Sequence, residues 1–392
     1  MDLKNYKSLN VHGLSNNWTD LLDPLFLKIF LFIFVFLLTA LACRFLIFLN
    51  HSLLIGQDKS EGIQKFHLIP TSRLGGLALM SGLIASYIFM RFFKLQGNDL
   101  FEKLLICALP IFLGGLIEDL THRVPAYVRL ILAVFSAVCA WFILDLAVHK
   151  TDVFFIDFFL QWPLISFLTT LLVVAGFSHS INIIDGFNGL ASGQALLMIG
   201  FLAYLNFTYF EKDLFLISLF LASVLLAFFV WNWPLGKIFL GDSGAYLLGF
   251  FVVCIGLLLL QRRPEISPFA PIMIGLAPLI EALFSIYRRA FIKKQSISKP
   301  DALHLHSLIY RRIVVFIPSL SKFSKPILNS LVSPFFWLTS FLFSLISTLF
   351  CENKFVLFIL FFTYIALYFW LFKSIVSLKN PSAFFSKKKI DR

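Results

Sequence analysis

Apolar runs of about 20 residues dominate the chain, each separated from the next by a short polar stretch. The runs lie near 25–49, 74–94, 102–117, 126–147, 163–181, 189–209, 214–233, 244–261, 268–287, 333–352 and 354–376. A helix of that length crosses about 30 Å of hydrocarbon. The pattern therefore predicts an all-α polytopic membrane protein, a bundle of about eleven transmembrane helices. No repeat of fixed period and no soluble domain interrupts it. Residues 1–392 read as one integral membrane domain, with a polar-motif core at about 56–312 and two C-terminal helices at about 333–376. The first apolar run is too long for the apolar region of a signal peptide, so it is expected to stay as a span. The longest polar segment, about 288–332, has room for a short amphipathic helix.

Composition agrees: 59% of residues are hydrophobic and 14% charged, where soluble domains carry about a quarter charged. The net charge of +12 raises the question of nucleic acid. Its placement argues against that, because the basic residues gather beside spans, between Arg288 and Arg312 and in the "SKKKIDR" tail. Loops after odd-numbered spans hold 15 Lys and Arg, against seven after spans two, four, six and eight. By the positive-inside rule the odd loops are cytoplasmic. The N-terminus then lies outside the cell membrane and the C-terminus inside. The five cysteines are scattered singly, without metal or redox spacing.

The odd loops also carry the unusual chemistry. In "SINIIDGFNGLASG" (180–193), Asn182, Asp185 and Asn188 recur every three residues at the end of an apolar run. Glu118 and Asp119 end span three, and Asp242 follows Gly241 before span eight. Any one of these acids alone reads as a helix cap or a boundary residue. Several on one face repel unless a cation joins them, and hard oxygen ligands suit Mg²⁺ together with substrate phosphates. Arg73, Arg129, Arg288, Arg289, His304 and His306 are candidates to hold phosphate oxygens, arginine by its two-pronged fork. Residues two apart, as in the "HLH" pair, share a side only in extended chain. The Gly241–Gly244 stretch opens span eight with backbone N–H groups that suit an anion. Glu281 lies inside span nine, an intramembrane acid whose partner the sequence does not name.

Together the segments "TSRLGG", "GLIEDL…RL", "NIIDGFNGLASG", "NWPLGKIFLGDSG" and "DALHLH" occur in an order that resembles a known family. They resemble the polyprenyl-phosphate N-acetylhexosamine-1-phosphate transferases of glycosyltransferase family 4. That family includes initiators of O-antigen and other lipopolysaccharide and cell-wall glycans, and phospho-MurNAc-pentapeptide translocase. The span count and the "HLH" form resemble the sugar-initiating branch. The resemblance implies transfer of a sugar 1-phosphate, GlcNAc-1-phosphate by base rate, from a UDP-N-acetylhexosamine to polyprenyl (undecaprenyl) phosphate, releasing UMP. It implies Mg²⁺ as cofactor, with Mn²⁺ as a substitute, bound by Asp242 and Asp185. Glu118, Asp119, Asp185, His304 and His306 become the expected catalytic residues. Lys65, Arg73, Asn182, Asn188, Phe239, Arg288 and Arg289 become the expected substrate contacts, with Phe239 stacked on uracil. Membrane lipid is an expected partner, a homodimer an expected option, and nucleic acid is not expected. Three positions depart from the family pattern: Glu118 stands for the first of two aspartates, Asn188 for an aspartate, and Ala302 for an arginine. Direct in-line displacement is favoured over a covalent aspartyl-phosphate route. Two alternatives stay open, the peptidoglycan reaction and, in a different class, transport of an anionic substrate, although transporter sites lie near the bilayer midplane.

Overall fold

The computed structural model describes residues 17–377, apart from 54–55, 59–70, 293–302, 318–319 and 321. Helix α1 (Asn17–Leu53) is followed by α2 (Gly75–Phe92), α3 (Asn98–Thr121) and α4 (Ala126–Leu144). Short α5 (Phe154–Leu160) precedes α6 (Pro163–Ile184), α7 (Leu190–Thr208), α8 (Lys212–Asn232) and α9 (Gly241–Arg262). Then come α10 (Phe269–Ile274), α11 (Leu276–Tyr287), α12 (Leu305–Arg312), α13 (Lys325–Ser330), α14 (Val332–Leu349) and α15 (Lys354–Ser377). Strand pairing among the described residues is confined to a two-residue ladder, Gln57–Asp58 against Thr71–Ser72, with Ser72 also bridging Ile238.

Ten helices among the described residues are long and apolar enough to cross a membrane, α13 and α14 counting as one at Lys325–Leu349. The chain is therefore a multi-pass, all-helical membrane protein. The run at 268–287 differs from the expectation of one continuous span: it is broken at Gly275 into α10 and α11. Pro278 has no N–H to offer the Ile274 carbonyl four residues back, so the helical ladder cannot pass through. The Phe177 ring fills the notch, and a Cβ at Gly275 would lie 2.5 Å from it. The broken pair still traverses the bundle. Ser267 N–H donates to the Cys351 carbonyl at one end, and Glu281 accepts from Leu305 N–H toward the other. Among the described residues there are thus ten candidate spans and one broken helical pair.

Helix α9 is the axis of the bundle. In its apolar window 89% of residues are buried, against 22% for α1 and 17% for α15, which face outward. Neighbours reach α9 through glycine. A Cβ on Gly76 of α2 would lie 2.3 Å from Gly244 N, and one on Gly115 of α3 would lie 2.5 Å from Ser243 Cα. Lipid tails are as apolar as leucine, so helices in a membrane associate through such close backbone packing rather than by hydrophobic exclusion. The exposed Phe, Leu and Ile of α1 and α15 are the lipid-facing consequence of the same solvent. All the polar motifs fall at one end of this bundle, where α3, α6 and α11 finish and α2, α4, α7 and α9 begin.

Gly115→Ala is expected to lower the thermal unfolding midpoint in detergent, by overpacking of about 1–3 kcal/mol. Gly176, whose Cβ position is open to 4 Å, should tolerate alanine with no loss. Equal midpoints for the two variants would show that α3 and α9 do not meet through Gly115.

Candidate active site

The site begins where α9 begins. Gly241 turns the chain at φ +72°, and no side chain fits there because a Cβ would lie 2.1 Å from the Arg73 carbonyl oxygen. The first turn of α9 leaves N–H groups without helical partners. Asp119, on the last turn of α3, takes two of them. Its Oδ1 accepts Asp242 N–H at 2.8 Å. Its Oδ2 accepts Ser243 N–H at 2.9 Å and Ser243 Oγ–H at 2.6 Å. The sequence suggested an open anion site at these amides; the protein's own anion, a fully buried carboxylate, already holds the Asp242 and Ser243 groups. The start of α2 docks on the same turn, with Gly75 N–H on Phe239 O at 3.0 Å and Gly76 N–H on Leu240 O at 2.9 Å. "RLGG", the end of α3 and "FLGDSG" thus form one unit.

On that base Asp242 meets three side chains. Arg73 Nη2 donates to its Oδ1 at 2.9 Å, and Asn182 Nδ2 to the same oxygen at 3.0 Å. Arg129 Nη1 donates to Oδ2. Arg73 Nε also lies 3.5 Å from Asp119. Two arginines therefore balance two carboxylates. The Asp242 side chain is only 8% exposed, whereas Arg73 and Arg129 are 22% and 20% exposed, so the cations form the outward part of the cluster. Asp185 caps α6 one turn beyond Asn182, its N–H on the Asn182 carbonyl at 3.2 Å. Glu118 turns to the next loop, where its Oε2 accepts Val124 N–H at 2.8 Å.

A second polar group lies beside the first. His304 sits in extended backbone just before α12, so its ring and that of His306 stack in parallel, 5.1 Å apart. Glu281 is the partner that the sequence could not name. Its Oε2 lies 3.2 Å from His304 Nδ1, its Oε1 accepts Leu305 N–H at 3.0 Å, and His306 Nδ1 is 3.9 Å away. Burial, reinforced by His304, pushes the His306 imidazole down to about 3 despite the pull of Glu281. His306 is therefore neutral near pH 7. Its ring meets Phe187 at 5.5 Å, and its Nε2 lies 3.6 Å from where a Gly186 Cβ would stand. The "NIIDGF" turn consequently touches both groups, Asn182 reaching Asp242 and Gly186–Phe187 reaching His306.

The other expected substrate contacts among the described residues have partners of their own. Asn188 is buried in scaffold: its Nδ2 donates to Pro234 O at 3.0 Å and its N–H to Asn329 Oδ1 at 2.7 Å. Both amide donors are thereby committed to the fold. The buried Arg288 guanidinium packs on the Phe284 and Phe372 rings at 5.1 and 5.4 Å. Arg289 Nη2 donates to Ser285 Oγ at 3.1 Å. Phe239 is half-buried, its backbone tied to Ser72 and Gly75. Lys65 and Ala302 lie outside the described residues. Sequence reasoning missed Asn232, whose Oδ1 accepts Gly189 N–H at 2.8 Å and whose Nδ2 donates to Ile238 O at 2.8 Å. An amide at the end of an apolar span, beside "WPLG", was the available signal. Among the described residues no group of three His, Cys, Asp or Glu side chains is placed to hold a metal ion by itself.

Comparison with known proteins matches this arrangement. The sequence model of glycosyl transferase family 4 matches residues 101–260, which hold Glu118, Asp119, Arg129, Asn182, Asp185 and Asp242. The chain is 28% identical over 258 residues to the probable undecaprenyl-phosphate N-acetylglucosaminyl 1-phosphate transferase of Bacillus subtilis, covering 64% of this chain and 69% of that protein. It is 30% identical over 216 residues to the undecaprenyl-phosphate alpha-N-acetylglucosaminyl 1-phosphate transferase of Thermotoga maritima, covering 53% of this chain and 60% of that protein. It is also 29% identical over 289 residues to the phospho-N-acetylmuramoyl-pentapeptide-transferase of Bacillus subtilis, covering 69% of this chain and 86% of that protein. Across residues 101–260, gathered around the end of one buried helix, the chain is thus similar to glycosyl transferase family 4.

Proposed function

We propose that the protein transfers N-acetylhexosamine 1-phosphate, most simply GlcNAc 1-phosphate, from a UDP-sugar to polyprenyl phosphate at the cytoplasmic face of the membrane. An oxygen of the lipid phosphate attacks the β-phosphorus of the donor. The bond from that phosphorus to the bridging oxygen breaks, and UMP departs as polyprenyl-diphospho-sugar forms. The observation that carries this reading is Asp242 held by Arg73, Arg129 and Asn182 at one end of a membrane bundle. A phosphate monoester and a diphosphate repel each other, and the two partly exposed arginines supply fixed positive charge where both must come together. Their forked geometry suits two phosphate oxygens at once. Similarity to the undecaprenyl-phosphate N-acetylglucosaminyl 1-phosphate transferases of Bacillus subtilis and Thermotoga maritima favours the same acceptor and sugar phosphate.

Mg²⁺ fits the donor set. Asp242, with Asp185 one turn beyond Asn182, would offer hard carboxylate oxygens to such an ion, which completes its shell with substrate oxygens and water. When bound it would neutralise charge on the diphosphate. The arginines that hold Asp242 are also the groups that would turn to phosphate. Asp119 is best read as the residue that positions α9, since its oxygens are spent on the backbone N–H groups of Asp242 and Ser243 and on the Ser243 hydroxyl. Neutral His306, stacked on His304, would donate a hydrogen bond to the sugar-phosphate without adding charge. The site lies at a bundle end, where a phosphate head reaches water while its prenyl tail stays in lipid.

Incubation of the purified protein with Mg²⁺, polyprenyl phosphate and a panel of UDP-N-acetylhexosamines should release UMP. Asp242→Asn, nearly the same in shape, should cut release by roughly 10²–10³ or more with little change in thermal midpoint. Turnover like that of the wild type in this variant would remove Asp242 from the chemistry. Asn182→Ala and Asn188→Ala should separate: the first lowers turnover at nearly unchanged stability, while the second lowers the midpoint by losing scaffold hydrogen bonds of about 1–3 kcal/mol. The unfolded chain takes up a proton at His306 near pH 6.5 and the folded chain only near 3. Stability should thus fall as pH drops below about 6.5, by about 2 kcal/mol at pH 5. His306→Gln should flatten that slope in thermal scans across this window.

A further inference from the structure

The end of the bundle away from Asp242 holds a cleft that the transfer chemistry does not use. Helix α9 runs 22 residues from Gly241 to Arg262, about 33 Å at 1.5 Å per residue. At its far end Arg262 pairs with Glu211 in the α7–α8 connection and with Asp213 in the first turn of α8. Beside that connection, α1, α7 and α8 enclose a cavity of about 580 Å³, within the ~300–1,000 Å³ of small-molecule sites. Phe32, Phe215, Leu216 and Phe220 form much of its wall, and Lys28 and Lys212 belong to its lining. Both lysines are exposed. The acidic neighbours Glu211 and Asp213 are already engaged by Arg262 and Arg263. Asn206 also lines the cavity. Its side chain is fully buried, and among the described residues neither Nδ2 nor Oδ1 has a hydrogen-bond partner.

An unsatisfied amide inside a membrane-spanning helix is costly, and such polar groups in spans mark sites by default. We propose that the cleft binds an anionic phospholipid of the leaflet opposite the reaction. One acyl chain lies along the phenylalanines, the phosphate meets Lys28 and Lys212, and an ester or hydroxyl oxygen reaches Asn206. A zwitterionic lipid would bring its own cation against the lysines, so charge selects the headgroup. The site is one bundle length from Asp242 and its occupant is not a substrate of the transfer.

Native mass spectrometry of the full-length protein in detergent tests this with dioleoylphosphatidylglycerol and dioleoylphosphatidylcholine. Phosphatidylglycerol should be retained roughly tenfold or more over phosphatidylcholine, the size expected of two lysines near a membrane surface. The double variant Lys28→Gln/Lys212→Gln should abolish that preference, and Asn206→Leu should weaken retention of both lipids. UMP release in lipid-free detergent should stay unchanged in the lysine variant. Equal retention of the two lipids by the wild type, or a preference that survives loss of both lysines, overturns the proposal. Displacement of the lipid by millimolar inorganic phosphate also overturns it, because the cleft would then be a bare anion site.

Discussion

A single buried carboxylate sets the geometry at the reactive end of this protein. Asp119 is sealed from solvent and accepts three hydrogen bonds from the first turn of α9. A charge in such a place is costly unless every lone pair is used, and here helix N–H groups, a hydroxyl and a nearby guanidinium use them. The helix dipole adds to the attraction, since its positive end faces the carboxylate. Three separate stretches of chain are thereby fixed together: the end of α3, the glycine turn at Gly241 and the start of α2. Asp242, the next side chain along, inherits its position from that clamp.

The cluster above the clamp is balanced in charge but not in exposure. Asp242 is nearly covered while Arg73 and Arg129 remain partly open. A carboxylate that keeps two arginines at a membrane edge preserves positive charge without letting it be lost to lipid headgroups. In the proposed reaction the guanidiniums would exchange one set of oxygens for another, with little reorganisation. Preorganised charge of this kind is how a protein stabilises a highly anionic transition state.

The broken crossing has a related purpose. Because α10 and α11 part at Gly275, α11 carries Glu281 beneath the histidine pair rather than out into lipid. The contact from Glu281 to His304 keeps an acid inside the bundle that would otherwise be expensive there. The "NIIDGF" turn bridges this module and the Asp242 cluster, Asn182 meeting Asp242 and Phe187 meeting His306. At the opposite end, the Arg262 pairs close the bundle with charges that serve structure.

What the sequence by itself determined was the solvent and the class. Apolar runs of spanning length, the uneven distribution of basic residues and the ordered motifs are all local properties of the chain, legible because hydrocarbon allows helices and little else. Arg73, Asp119, Asn182 and Asp242 could be singled out from residue type and spacing alone. Their division of labour could not. Adjacent Glu118 and Asp119 look alike in sequence, yet one holds a surface loop and the other the buried start of α9. Asn182 and Asn188 share a motif, yet one reaches Asp242 and the other is consumed by Pro234 and Asn329. Glu281 had no visible partner until the break at Gly275 turned α11 toward the histidines. Those outcomes belong to tertiary structure, because a hydrogen bond joins groups by distance and direction, and residues 123 positions apart acquire both only when the helices pack.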